Sequence, residues 1–226
     1  EHEYVMLVDV SKGRGQDYST FNLIDISSRP FKQVAVYRNN LISPLLFPNI
    51  IYKWANSYNK AYVVIESNDQ GSLVTNGLYH DLEYENMHVE SAIKANALGI
   101  EMTRKVKRLG CSSFKDILEN NKLEVCDDDT ILEISTFVAK GVSYEASPGN
   151  HDDLVMNFVL LGYFMSTQYF SDMTDINLKE IMFKQKMKEI EDDLPPFGYI
   201  DDGLPANPTE EEIEGRQWAI EYAPDI

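Results

Sequence analysis

Cysteine is scarce. The 226 residues hold two, Cys111 and Cys126. That excludes a disulfide framework, and their spacing is not that of a zinc site. Two lone thiols fit a reduced, intracellular compartment. Long apolar runs are absent too. The longest, Leu154 to Met165, is too short to cross a bilayer. No basic leader precedes an apolar run, since the chain opens Glu1-His2-Glu3. An initiator Met is also missing. A core-strand pattern, Tyr4-Val5-Met6-Leu7-Val8, begins at once and reads as a segment of a longer protein. Positive charge is in deficit: 20 Lys and Arg against 37 Asp and Glu, a formal net charge of −17.

That deficit argues against nucleic-acid binding by bulk charge, because phosphate affinity comes from local Lys and Arg. The charge is uneven, however. Residues 171–226 hold 5 basic and 15 acidic residues, residues 1–170 hold 15 and 22. Within the first part, residues 29–53 carry Arg29, Lys32, Arg38 and Lys53 and no acid. Residues 94–122 carry seven basic residues against three acids. What remains is ordinary for a globular protein, with 43% hydrophobic and 25% charged residues. The length suits one large domain, 1–170, with an acidic appendage, 171–226.

Tyr4–Val10 is apolar at nearly every position and reads as a central strand. Thr20–Ile26 and Phe31–Tyr37 follow after short turns, giving an antiparallel meander. Pro44–Tyr58 has helical spacing, and Ala61–Glu66 is another apolar strand. Such a strand–helix–strand order favours a right-handed parallel crossover. Helices are expected over Gly71–Leu82, Ser112–Asn121 (capped by Ser112 or Ser113), Asp128–Ala139 and Asn150–Gln168. Met87–Val89 and Leu123–Cys126 read as short strands, and 92–109 has no clear period. In the appendage, 174–192 has helical composition and Thr209-Glu210-Glu211-Glu212 offers a helix start. The class is α/β: a mixed sheet with an antiparallel meander and flanking helices.

Asp9 lies near the end of the first strand and Glu66 ends the fourth. The first and third strands of a meander run the same way, and the crossover makes the fourth parallel to the third. Both acids therefore emerge at one edge of the sheet, where ligands of open α/β sheets gather. A third acidic element, His151-Asp152-Asp153, opens an apolar helix with Asn150 as its expected N-cap. Carboxylates that converge repel unless a cation neutralises them. Oxygen ligands select Mg²⁺ or Mn²⁺ over Zn²⁺. Two such ions about 3.5–4 Å apart clamp a phosphodiester. The plainer reading is that each acid is a turn former or a helix cap.

The ordered set Val8-Asp9-Val10-Ser11-Lys12-Gly13, Asp17-Tyr18-Ser19, Val64-Ile65-Glu66-Ser67-Asn68 and His151-Asp152-Asp153-Leu154-Val155-Met156 resembles the nuclease domain of the large terminase subunit of T-even-like tailed bacteriophages. The likeness covers about residues 4–170. It implies an RNase H-like (RuvC-like) fold and an endonuclease that cuts concatemeric viral DNA at the start and end of head filling. It makes Asp9, Glu66 and Asp152 the metal-binding acids, with Asp153 assisting or taking the principal place. The implied cofactors are two Mg²⁺ or Mn²⁺ ions. The implied partners are double-stranded DNA, a packaging ATPase domain, the portal ring and the small terminase subunit, in the host cytoplasm at the prohead portal. No membrane role is expected. No Walker A loop occurs, and Gly13-Arg14-Gly15 is not one, so this chain is expected to cut and not to translocate. Lys12 stands where related sequences place another acid.

Arg104, Lys105, Lys107 and Arg108 form the sharpest basic cluster, a DNA-backbone contact or a solvated helix face. Lys12 and Arg14, beside Asp9, are better placed to touch a scissile strand. His151 reads as a capping or packing residue before a general base, and Asp17 as a turn acid that could support the site. Asp127-Asp128-Asp129 reads as a helix start. Two other readings compete: a different RNase H-like enzyme (junction resolvase or RNase H), and a docking module without chemistry.

Overall fold

The computed structural model describes residues 2–89, 97–140, 143–168 and 170–171. The expected appendage, Ser171 aside, and both helices expected within it lie outside the described residues. Five strands form one sheet: β1 (Tyr4–Asp9), β2 (Ser19–Asp25), β3 (Phe31–Asn39), β4 (Tyr62–Ile65) and β5 (Leu123–Glu124), in the order β4-β1-β2-β3-β5. The β1–β2–β3 meander is antiparallel, as expected. β4 is parallel to β1 and pairs with it, so the crossover returns past β2 and β3 to the far side of β1.

Alternation along the strands sorts the core into two layers. Val5 and Leu7 of β1, with Tyr62 and Val64 of β4, belong to one cluster. Met6 and Val8, with Val63 and Ile65, belong to the other. The second face is covered by α1 (Phe47–Ser57), which buries Phe47, Ile51 and Ala55 four residues apart. It is joined there by α2 (Gly71–Asn76), which contributes Val74 and continues into a π-helical turn, Gly77–Asp81. The first face is covered by α3 (Arg104–Glu119) and α5 (Asp153–Met165), and α5 is buried at every position from Leu154 to Gly162. Between them in sequence come α4 (Asp128–Thr136) and a hairpin of β6 (Phe137–Lys140) and β7 (Ser143–Ala146).

Three expectations need correction. The helix expected from Ser112 begins at Arg104, with Thr103 as N-cap: its hydroxyl accepts from the Val106 amide at 3.2 Å. Gly110 does not interrupt it, because there α3 lies backbone to backbone on α5. A Cβ on Gly110 would stand 2.3 Å from the Val159 carbonyl oxygen, and one on Gly162 would stand 2.4 Å from that of Gly110. The helix expected to Ala139 ends at Thr136, where the chain extends into β6 and pairs with β7. The N-cap position of the last helix is Asp152, whose side chain makes no capping bond, and not Asn150, which turns back to bond Ser147. Asp127 does cap α4, accepting from the Thr130 amide at 2.8 Å. No helix among the described residues is long and apolar enough to cross a membrane.

His88 is buried beside Tyr62 and Phe164, with its Nδ1 3.3 Å from the Tyr62 hydroxyl. Desolvation pushes its pKa down from 6.5 to about 4. The folded protein therefore binds fewer protons here than the unfolded chain. The stability this neutral ring provides is complete above pH 6.5 and is lost as pH falls towards 4. Urea denaturation of wild type and His88→Leu should differ in pH response by roughly 2–3 kcal/mol between pH 7 and 4.5. Parallel curves would show that His88 carries no such linkage.

Candidate metal centre

Asp9 ends β1, and Glu66 directly follows β4. The parallel ladder pairs Val8 with Ile65, and the Glu66 amide donates to the Val8 carbonyl at 3.0 Å. The two acids are thus next neighbours at the carboxyl ends of adjacent strands. By alternation both follow Leu7 and Val64, on the face covered by α3 and α5, and both are half-buried. The expected common edge is present, reached through β1 itself.

The third acidic element arrives on α5. Its N-terminus is fixed over the sheet by polar residues of β2 that are buried completely. Thr20 donates its hydroxyl to the Asp153 carbonyl at 3.0 Å, and the Asn22 amide donates to the Leu154 carbonyl at 3.3 Å. Asn157 donates back to Thr20 at 2.9 Å, and Gln33 holds Asn22 at 2.6 Å while accepting from the Cys126 and Asp127 amides. Polar residues alternating with Phe21 and Leu23 on a buried strand were the sequence signal for this anchor.

The acids act on one another electrostatically. The Asp9 carboxyl is pushed well above its ordinary range, first by burial, then by Glu66 and Asp153, and less by Asp152. Burial raises Glu66 to about 7, against the opposing effect of Lys107. Burial raises Asp153 to about 6, opposed by the Tyr18 amide that donates to it at 3.2 Å. The two α5 acids are therefore not equivalent: Asp153 bears more strongly on Asp9, while an Asp152 oxygen accepts from the Ala146 amide at 3.3 Å. Among the described residues no three His, Cys, Asp or Glu side chains form a ready-made cage for an ion. In charge and donor type the set nonetheless suits a hard divalent cation, whose charge would relieve the repulsion that now raises these carboxyls.

The other sequence candidates divide. Arg104, Lys105, Lys107 and Arg108 occupy the first turn and a half of α3, where they line a cavity of about 720 Å³ with Met102, Thr103 and Tyr144. Lys107 lies within electrostatic reach of Glu66, so this groove adjoins the acids. Lys12 instead forms an exposed ion pair with Asp69 at 2.9 Å, and Arg14 also acts on Asp69. Asp17 is exposed and adds to the repulsion on Asp153. His151 is exposed, edge-on to the Tyr18 ring and 3.6 Å from an Asp153 oxygen.

Sequence reasoning missed Glu133. This glutamate of α4 is buried, yet it accepts from two amides at the start of α5, Leu154 at 2.7 Å and Val155 at 3.3 Å. Its other oxygen is 3.2 Å from Arg38 of β3. Its burial becomes intelligible only through the α5 amides and Arg38, all distant in sequence, and no local motif carries it.

The model of the terminase RNaseH-like domain family matches residues 6–159. Among solved structures the chain is similar to the large terminase nuclease from thermophilic phage G20c with bound magnesium, at 23% identity and a TM-score of 0.58, over 72% of this chain and 81% of that one. It is also similar to the large terminase nuclease domain of Thermus phage P74-26, at 22% identity and a TM-score of 0.55, over 70% and 77%. A large terminase from another thermophilic bacteriophage matches at 12% identity and a TM-score of 0.51, over 72% of this chain and 40% of that one. The mixed sheet, the meander and the helices on both faces are the architecture of these nuclease domains, and the chain belongs to the terminase RNaseH-like domain family.

Proposed function

We propose that this chain is a metal-dependent endonuclease that cuts concatemeric viral double-stranded DNA when genome packaging begins and ends. The observation that carries the proposal is that Asp9 and Glu66 stand side by side at the ends of paired parallel strands, with the start of α5, which carries Asp152 and Asp153, anchored over the same face by Thr20 and Asn22. A relative of the same fold holds magnesium. Asp9 and Glu66 are read as the ligands fixed by the sheet. The order of repulsion on Asp9 supports Asp153 as the principal third ligand, with Asp152 flanking it. When bound, a pair of Mg²⁺ or Mn²⁺ ions supplies activation of the attacking water and stabilisation of the leaving oxygen. The chain supplies position: the ends of two paired strands and an anchored helix start.

The groove at the start of α3 is read as the seat of the DNA backbone. Four cations in the first turns of a helix oppose its dipole, an arrangement that helix stability alone does not favour. Lys12 is engaged by Asp69, so the larger share of binding is assigned to α3. A triple variant, Arg104→Ala, Lys105→Ala and Arg108→Ala, should weaken duplex binding. It should also flatten the dependence of log K on log salt, by about 0.9 for each phosphate that is no longer neutralised. Lys12→Ala should change it less. Identical salt titrations for wild type and the triple variant would remove α3 from the interface.

The proposed setting is the host cytoplasm at the prohead portal, with a packaging ATPase domain, the portal ring and the small terminase subunit as partners, and the acidic segment 171–226 as an appendage to the nuclease domain. The test of the central reading is plasmid cleavage by the purified chain with Mg²⁺ or Mn²⁺ and with chelator. Cleavage unaffected by chelation, or no cleavage with either ion, would overturn it. Preference for branched DNA or RNA–DNA hybrid over linear duplex would redirect it to the resolvase or RNase H reading.

A further inference from the structure

The first free amides of a helix are ordinarily satisfied by the side chain of its own N-cap residue, which bonds the second or third amide. In α5 that residue is Asp152, a good capping type, and its side chain makes no capping bond. The amides it would serve, Leu154 and Val155, are served from another element by one oxygen of Glu133. Glu133 is itself held by Arg38, whose guanidinium also contacts Asp129 at 3.3 Å and lies 4.0 Å over the Tyr18 ring. Tyr18 in turn donates its amide to Asp153. One ion pair, a half-buried arginine of β3 and a buried glutamate of α4, thus touches the supports of both α5 acids.

We infer that Glu133 and Arg38 are positioning residues for the acidic centre: Glu133 takes over the N-cap function of α5, which releases the Asp152 carboxylate from its own helix, and Arg38 fixes Glu133 and the Tyr18 segment that orients Asp153. Glu133 is read as a support and not as a ligand: one oxygen serves the two amides, and the other faces the Arg38 guanidinium at 3.2 Å without a hydrogen bond. Without it, the N-cap residue Asp152, one of whose oxygens now accepts from the Ala146 amide at 3.3 Å, turns inward to cap the helix. Burying a carboxylate against a helix start and an arginine is costly unless both contacts are kept, so the pair acts as a unit.

This inference rests on the reading of the acids as metal ligands, and the experiment separates the two. Mn²⁺ binding is followed by electron paramagnetic resonance titration, with circular dichroism confirming the fold of each variant. Glu133→Ala should weaken Mn²⁺ binding about tenfold to a hundredfold, the range for residues that orient ligands. Glu133→Gln keeps an acceptor oxygen for the two amides and should restore most of that loss. Asp152→Ala should matter less in the Glu133→Ala background than in wild type, because there Asp152 has already turned to its helix. If Glu133→Ala does not fold, Glu133→Asp carries the test, since it keeps the charge for Arg38 and withdraws the oxygen by one methylene. Mn²⁺ affinity unchanged in the folded Glu133 variants, or an undiminished Asp152→Ala effect, would overturn the inference while leaving the metal reading intact. A wild-type chain that binds no Mn²⁺ would overturn both.

Discussion

Asp9→Ala and Glu66→Ala should each reduce Mg²⁺-dependent plasmid cleavage on the order of a thousandfold, the loss of roughly 4 kcal/mol of charge stabilisation at the metal. The structural reason is that the sheet offers no substitute. The two acids are next neighbours at the ends of paired parallel strands, on the side facing α5. Neither variant should unfold the protein. Both carboxyls are raised by burial, so removing one takes away a group that the folded state accommodates at a cost. Thermal denaturation without metal should find them at least as stable as wild type. Asp153→Ala should be closer to these two in effect than Asp152→Ala, following the order in which the α5 acids act on Asp9. Matched preparations cutting equally would mean that the observed nuclease is a contaminant or that the site lies elsewhere. Equal losses for Asp152→Ala and Asp153→Ala would remove the distinction drawn between them.

The second large effect is on stability. Gly162→Val should cost about 3 kcal/mol or more, because its added carbon meets a backbone carbonyl of α3 that cannot rotate away. For a domain of this size that is roughly 6–12 °C in melting temperature. Gly110→Ala strains the same packing from the other side, since its Cβ would meet the Val159 carbonyl. The two substitutions should therefore be less than additive: once one has separated the helices, the second meets a gap already opened. Additive losses in a thermal scan of the four proteins would show that the glycines act independently. The same separation displaces the basic first turn of α3 relative to Glu66. DNA binding by either single variant should weaken even at temperatures where it remains folded.

Much of the architecture could be read from the chain alone, because strong periodicity survives without tertiary information. Tyr4–Val8 and Ala61–Ile65 are apolar throughout, which only a strand buried on both faces requires, and Leu154–Met165 is too apolar to be anything but a core helix. The common edge of Asp9 and Glu66 followed from connectivity, although the crossover passes beside β1 and not β3. What could not be read depended on contacts distant in sequence. The helix start expected at Ser112 or Ser113 is the middle of α3, which runs through Gly110 because α5 demands a residue without a side chain there. Phe137–Lys140 continues an apolar pattern compatible with helix until β7 supplies a partner. Asn150 and Asp152 are both capable N-caps by type. Glu133 lies on a helix whose composition suggests exposure, and its burial becomes favourable only through Arg38 and the α5 amides.

The register of β1 against β4 has a consequence for the kinds of sequence change this site can survive. Substitutions within Val5–Val8 alter volume and are open to repair by neighbouring side chains. A deletion or insertion of one residue there conserves composition and hydrophobicity almost completely, yet it turns Asp9 towards the layer of α1 and away from Glu66 and α5. Length, not chemistry, is the quantity this strand must hold constant: two missing residues would restore the face but move the acid back along the ladder by about 7 Å. Across homologous chains, gaps should therefore be confined to the turns between strands, and the interval from the first core residue of β1 to its terminal aspartate should be fixed even where every residue within it differs.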